Sequence, residues 1–150
     1  MAFDFYRRRL PHARVHGALY FVTWRLGEGL ADLSERERDL VASSLRHFDG
    51  RRYVLHAYVV MNDHVHVILD PHPDFPLETI LHSWKSFSAK RIGEHCPHVG
   101  AVWQDEYFDR AIRDDDEYQQ KRDYVLDNPL RRRAGLETYH WCWAIGMERR

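Results

Sequence analysis

Cysteine is almost missing: Cys96 and Cys142 are the only two in 150 residues. So sparse a supply argues against a disulfide framework and suits a reducing compartment. No apolar run approaches the length of a membrane span, and Met1-Ala2-Phe3-Asp4 opens without a signal-peptide pattern. The expectation is a cytoplasmic protein. Charge of one sign is missing as well. The formal net charge is −1, so the composition makes no general case for a surface that coats polyanions. Internal repeats, low-complexity tracts and interdomain linkers are absent too.

What is present fits one domain over residues 1–150, with a basic arm at 1–15 and a tail at 136–150. The chain has five Trp, eight Tyr and seven Phe, more aromatic surface than a minimal core needs. Core packing is the default use for most of these rings, and base stacking is a use for the surplus. Charge is unevenly spread. Arg7, Arg8 and Arg9 form one run, followed by Arg14 and Arg25, and Arg131, Arg132 and Arg133 form another. A charge run is usually a solvated face, but two arginine triplets flanking a candidate site suggest phosphate contact.

The chain reads in order as strand, helix, strand, strand, helix, strand. Ala18 to Leu26 is β-branched and aromatic, a strand closed by Gly27 and Gly29. Ser34-Glu35-Arg36-Glu37 is a capping box, and Leu40, Val41, Leu45 and Phe48 follow at helical spacing until Asp49-Gly50. Tyr53 to Met61 and His64 to Asp70 are the arms of a β-hairpin; Asn62-Asp63 is its turn, a dipeptide that tolerates positive φ. After a loop with three prolines, Leu77, Ile80, Leu81 and Trp84 trace the stripe of a second helix that ends near Gly93, with Lys85 off the stripe. A short strand lies around Tyr107 to Ile112. The order βαββαβ predicts an α+β fold, a ferredoxin-like antiparallel sheet with two helices on one face. An extra C-terminal helix starts at Asp114-Asp115-Asp116-Glu117, carries Tyr124, and is halted by Pro129 after Asn128. Residues 139–145 pack back as a strand or an apolar tail.

Two features carry chemistry. In His64-Val65-His66 the alternation throws both imidazoles onto one sheet face, one pleat apart, a spacing that lets two ring nitrogens converge on one metal ion. With 11 histidines, about one His-x-His is expected by chance, so the pair alone is also read as two solvated or hydrogen-bonded histidines near a turn. The second feature is Tyr124. Tyr118, Arg122, Val125 and Leu126 share one side of the last helix, whereas Tyr124 lies on the polar stripe with Gln120 and Asn128. An amphipathic tyrosine resting on a neighbour is the ordinary reading. A nucleophilic phenol, one turn from a carboxamide able to ligate a metal, is the functional one.

Together these residues resemble a known family. His64-Val65-His66 resembles the HUH motif of single-tyrosine DNA transposases. Tyr124-Val125-Leu126-Asp127-Asn128-Pro129 is similar to the Tyr-x-x-x-Asn-Pro signature of the REP-associated branch of these insertion-sequence-type enzymes. Likeness continues in Tyr20 to Arg25, Trp84 to Phe87 and Trp103 to Arg110, in consistent order over about residues 16–135. The resemblance implies that His64, His66 and Asn128 hold a divalent metal, Mg²⁺ or Mn²⁺, and that Tyr124 attacks the scissile phosphate of single-stranded DNA. A 5′-phosphotyrosine forms and a 3′-hydroxyl is released, so the strand is rejoined later without ATP. It further implies palindromic hairpins as partners, a monomer working in cis and a nucleoid-associated location; the basic residues Arg7, Arg8, Arg9, Arg14, Lys85, Arg131, Arg132 and Arg133 are the candidate DNA contacts. Softness argues in another direction, because two imidazoles favour Zn²⁺, Mn²⁺ or Fe²⁺ over Mg²⁺ unless phosphate and water complete an oxygen-rich shell. Two competing readings stand beside the transposase. One is a non-catalytic module that binds single strands or hairpins; the other is a zinc protein with no DNA role.

Overall fold

The computed structural model describes residues 18–95, 101–132 and 139–147, with side chains at all of these except 130–132. The elements are β1 (Leu19–Leu26), α1 (Glu35–His47), β2 (Tyr53–Val60), β3 (His64–Pro71), α2 (Leu77–His95), β4 (Trp103–Ile112), α3 (Asp115–Arg132) and β5 (Cys142–Ala144). The five strands form one antiparallel sheet in the order β4-β1-β3-β2-β5. The first four strands and two helices are the expected ferredoxin-like arrangement, and β5 extends it beyond β2. No helix among the described residues is long and apolar enough to cross a membrane.

Alternation sorts side chains between two cores. Tyr20, Val22, Trp24, Val65, Val67 and Leu69 face α1 and α2. Phe21, Val59 and Ile68 face the other way and meet Val125, Tyr118 and Leu126 of α3. In β2 the period of two breaks at His56, where a bulge lies between Leu55 and Ala57. One extra residue re-phases the strand, so Leu55 and Tyr58 both reach the α1/α2 core while Ala57 reaches the α3 core. The Ser34 capping box forms as read: its hydroxyl takes the Glu37 N–H at 3.1 Å, and Glu37 takes the Ser34 N–H at 2.8 Å.

Four local expectations are corrected. The hairpin turn uses no positive φ, since among the described residues only glycines adopt it. External bonds hold the turn instead: the Asn62 carbonyl accepts from Leu33 N at 2.7 Å, the Asp63 carbonyl from Leu26 N at 2.8 Å, and Asn62 Nδ2 donates to Asp32 at 2.8 Å. The strand β4 starts at Trp103, well before Tyr107, because it pairs along nearly the whole of β1. The second helix runs to His95, past Gly93. Pro129 lies inside α3 and does not end it. Proline cannot donate to the carbonyl four residues back, normally a cost near 3 kcal/mol. That carbonyl belongs to Val125, and the Cys142 thiol of β5 donates to it at 3.7 Å.

The start of α3 also differs from a solvated acidic turn. Asp114 and Asp115 stay exposed, but Glu117 is buried; its carboxylate pairs with Arg110 Nε of β4 and accepts the Arg113 N–H at 3.0 Å. Burial alone would raise the Glu117 pKa. The Arg110 hydrogen bond, the Arg113 N–H and the two guanidinium charges outweigh it and hold the carboxyl below its ordinary range. This buried pair fixes the N-terminal end of α3 against β4.

Candidate active site

The central strand β3 presents His64 and His66 on the sheet face that α3 crosses. Both are nearly fully buried, and their rings sit 4.8 Å apart, edge to face. Each has a partner for Nδ1. His64 Nδ1 lies 2.6 Å from the Asp63 carboxylate, and His66 Nδ1 lies 2.6 Å from Thr23 Oγ1, its register partner on β1. A proton held on Nδ1 by a carboxylate or hydroxyl puts the lone pair on Nε2, the tautomer a metal ligand needs.

Asn128 closes this cluster from α3. Its side chain is buried, with Nδ2 at 3.5 Å from His66 Nε2, and among the described residues its Oδ1 has no hydrogen-bond partner. An unpartnered buried carbonyl oxygen costs about 1–3 kcal/mol, a penalty that a cation would remove. Two donors held about 2.1 Å from one ion stand roughly 3.0–3.4 Å apart, close to the observed separation once the amide turns its oxygen inward. Two imidazoles and an amide oxygen therefore fit a divalent ion. Among the described residues no three His, Cys, Asp or Glu side chains converge.

Tyr124 sits one turn before Asn128 on the same helical stripe. It is 38% exposed, its ring 5.2 Å from that of His66 and 6.0 Å from that of Phe21. Phe21 is the hub: it stacks on His66 at 5.5 Å and carries the Lys121 ammonium 5.1 Å from its centroid. Burial, then repulsion from Arg110, lowers the Lys121 pKa against a smaller opposing pull from Glu117. A groove of about 740 Å³ opens beside these groups, with Phe21, Thr23, His66, Lys121 and Tyr124 in its wall. Tyr118, the other tyrosine of α3, faces β2 and rests on His56, with rings 5.7 Å apart.

Of the residues singled out from sequence, the fold brings His64, His66, Tyr124 and Asn128 together. Lys85 lies on the opposite, α2 side of the sheet, its ammonium donating to the Gln104 and Asp105 carbonyls at 2.7 and 3.1 Å. Arg7, Arg8, Arg9, Arg14 and Arg133 lie outside the described residues, as do the side chains of Arg131 and Arg132. Sequence reasoning missed Thr23, Phe21 and Lys121 as parts of the site. Its stripe through Gln120 was one residue off, because Lys121, three before Tyr124, is the residue that turns to the sheet.

Known proteins share this layout. The structure of a REP-associated tyrosine transposase bound to a REP hairpin is similar with a TM-score of 0.69 at 20% identity, over 84% of this chain and 74% of that one. A crystal structure of a putative transposase from Deinococcus radiodurans is similar with a TM-score of 0.57 at 22% identity, over 75% of this chain and 92% of that one. No curated protein sequence matches the chain. The sheet, its two helices and the crossing third helix thus define the transposase fold. The family model described as "Transposase IS200 like" matches residues 33–128, more than half of the chain and a span that contains His64, His66, Tyr124 and Asn128. The chain belongs to the IS200-like transposase family.

Proposed function

We propose that this protein is a metal-dependent nicking and joining enzyme for single-stranded DNA, with Tyr124 as its nucleophile. The observation that carries the reading is the meeting of three groups within one chain: the Tyr124 ring 5.2 Å from that of His66, and the unpartnered amide oxygen of Asn128 beside them. His64, His66 and Asn128 would hold a divalent ion, Mg²⁺ or Mn²⁺. Such an ion, when bound, polarises the scissile phosphate as a Lewis acid. Tyr124 Oη attacks phosphorus, the bond to the 3′-oxygen breaks, and a 5′-phosphotyrosine and a free 3′-hydroxyl result. A second 3′-hydroxyl reverses the step and regenerates the phenol. Asp63 and Thr23 keep the imidazole lone pairs aimed at the ion, and Phe21 walls the site against water. The 5.2 Å approach of the Tyr124 and His66 rings suits a monomer acting in cis.

Kinship with a transposase bound to a REP hairpin supports a hairpin-bearing strand as substrate. The arginines of both triplets and Arg14 are the proposed phosphate contacts. A labelled hairpin strand incubated with protein and Mg²⁺ or Mn²⁺ is expected to give a denaturant-stable adduct that maps to Tyr124. The same sequence annealed to its complement is expected to give none. An adduct at Tyr118, or full cleavage in a chelator, refutes the assignment. Salt-sensitive binding with no adduct under any condition favours a non-catalytic hairpin-binding module.

A further inference from the structure

We propose that Lys121 is a phosphate-binding residue of this site, its ammonium contacting a non-bridging oxygen of the phosphodiester that Tyr124 attacks. The inference rests on the nicking reading and adds a residue to it. Lys121, Tyr124 and Asn128 fall at i, i+3 and i+7 on α3, a stripe that faces the sheet at Phe21 and His66. Neighbours three or four apart on a helix have Cβ atoms about 5–6 Å apart. Lys121, Tyr124 and His66 line one groove around Phe21, so a phosphodiester seated at the phenol shares that groove with the ammonium.

The charge balance around Lys121 points the same way. Glu117, four residues before it, is the natural helical partner for a lysine. The Glu117 carboxylate pairs with Arg110 and accepts the Arg113 N–H, so its charge is shared between that guanidinium and Lys121. Arg110 adds positive potential from β4, and burial against Phe21 raises the cost of the ammonium's charge. Glu106 of β4 also lines the groove and is exposed. The ammonium is partly desolvated and lines the same groove as the phenol. A strand lying there offers one anionic group to meet it, the phosphodiester. In an in-line displacement negative charge spreads over the equatorial oxygens, and a cation already in place stabilises it without reorganisation.

The test is single-turnover cleavage of a hairpin strand cut by the unaltered protein, with Lys121→Met and Lys121→Arg compared. Lys121→Met is expected to slow cleavage on the order of a hundredfold while strand affinity changes less than about threefold. Lys121→Arg, which keeps the charge, is expected to recover part of the rate; an arginine as slow as methionine overturns the charge argument. The decisive arm places a methylphosphonate of single configuration at the scissile position, one diastereomer at a time. On at least one isomer the oxygen facing Lys121 is gone, and there the ratio of unaltered to Lys121→Met rates is expected to fall to near one. A ratio that persists on both isomers, or a Lys121→Met protein as fast as the unaltered one on the natural strand, overturns the assignment alone. Absence of any Tyr124 adduct with the unaltered protein overturns the nicking reading and this assignment together.

Discussion

Thr23→Val tests how the site prepares its histidines. Valine keeps the shape and strand preference of threonine but removes the hydroxyl that meets His66 Nδ1 at 2.6 Å. Two outcomes compete. Either Nδ1–H stays and is left without that partner in a mostly buried place, at about 1–3 kcal/mol. Or the proton moves to Nε2, and the ring must tautomerise before it ligates a metal. Each route weakens metal binding, and 1.4 kcal/mol is a factor of ten, so the loss is roughly tenfold to a hundredfold. Phe21, stacked on the ring at 5.5 Å, still fixes the imidazole plane, which puts the expectation near tenfold. Mn²⁺ titration followed by electron paramagnetic resonance or calorimetry measures it directly. In cleavage assays the metal concentration for half-activation is expected to rise by the same factor, with the plateau rate nearly unchanged. Thr23→Ser, which retains the hydroxyl, is expected to behave as the unaltered protein. Equal metal affinity in Thr23→Val, within about twofold, refutes the tautomer argument.

Tyr124→Phe loses one oxygen from a side chain that is 38% exposed, so melting and strand binding are expected to hold while adduct formation on a denaturing gel disappears. Glu117→Gln breaks the buried pair with Arg110 and is expected to destabilise the fold on the order of 3 kcal/mol at pH 7, read by urea denaturation. The folded Glu117 pKa is depressed, so its contribution is full above the unfolded carboxylate value and is lost as pH falls through the folded one; Glu117→Gln is expected to show a flatter stability profile below about pH 5. Cys142→Ala strands the Val125 carbonyl and is expected to cost about 1 kcal/mol, but less in a Pro129→Ala background, where residue 129 regains an N–H for that carbonyl. Equal costs in both backgrounds, measured by chemical denaturation, would falsify the compensation.

Much of this architecture is legible because its signals are local. Alternation in β1 and β3, the Ser34 capping box and the stripe of α2 each lie within one element. They suffice for the βαββαβ order and for the face on which His64 and His66 stand. Tyr124 and Asn128 are separable from Tyr118 by helical phase alone. What stayed hidden depends on pairing between distant segments. Thr23 reads as one more strand residue until the β1–β3 register sets it opposite His66. Lys121 reads as a solvated lysine until α3 docks with that residue over Phe21. Pro129 reads as a stop until a thiol from β5 supplies the missing donor. Lys85 drew notice as a cation off an apolar stripe, but its helix packs on the far face of the sheet.

The strand order carries a consequence for how activity fails with heat. The histidine strand β3 is the middle strand, hydrogen-bonded on both edges and buried along almost its whole length. The phenol instead rides on α3, where Glu117, Val125, Asn128 and Pro129 are the buried positions among residues 115–129. Local opening free energy follows such burial, so amides of β3 are expected to exchange with solvent only on global unfolding, and those of α3 well before it. Half of the proposed catalytic apparatus thus stands on the most durable part of the molecule and half on one of its looser parts. Detachment of α3 would silence the enzyme while the sheet remains folded. Inactivation is therefore expected to precede melting, with the activity midpoint several degrees below the calorimetric one.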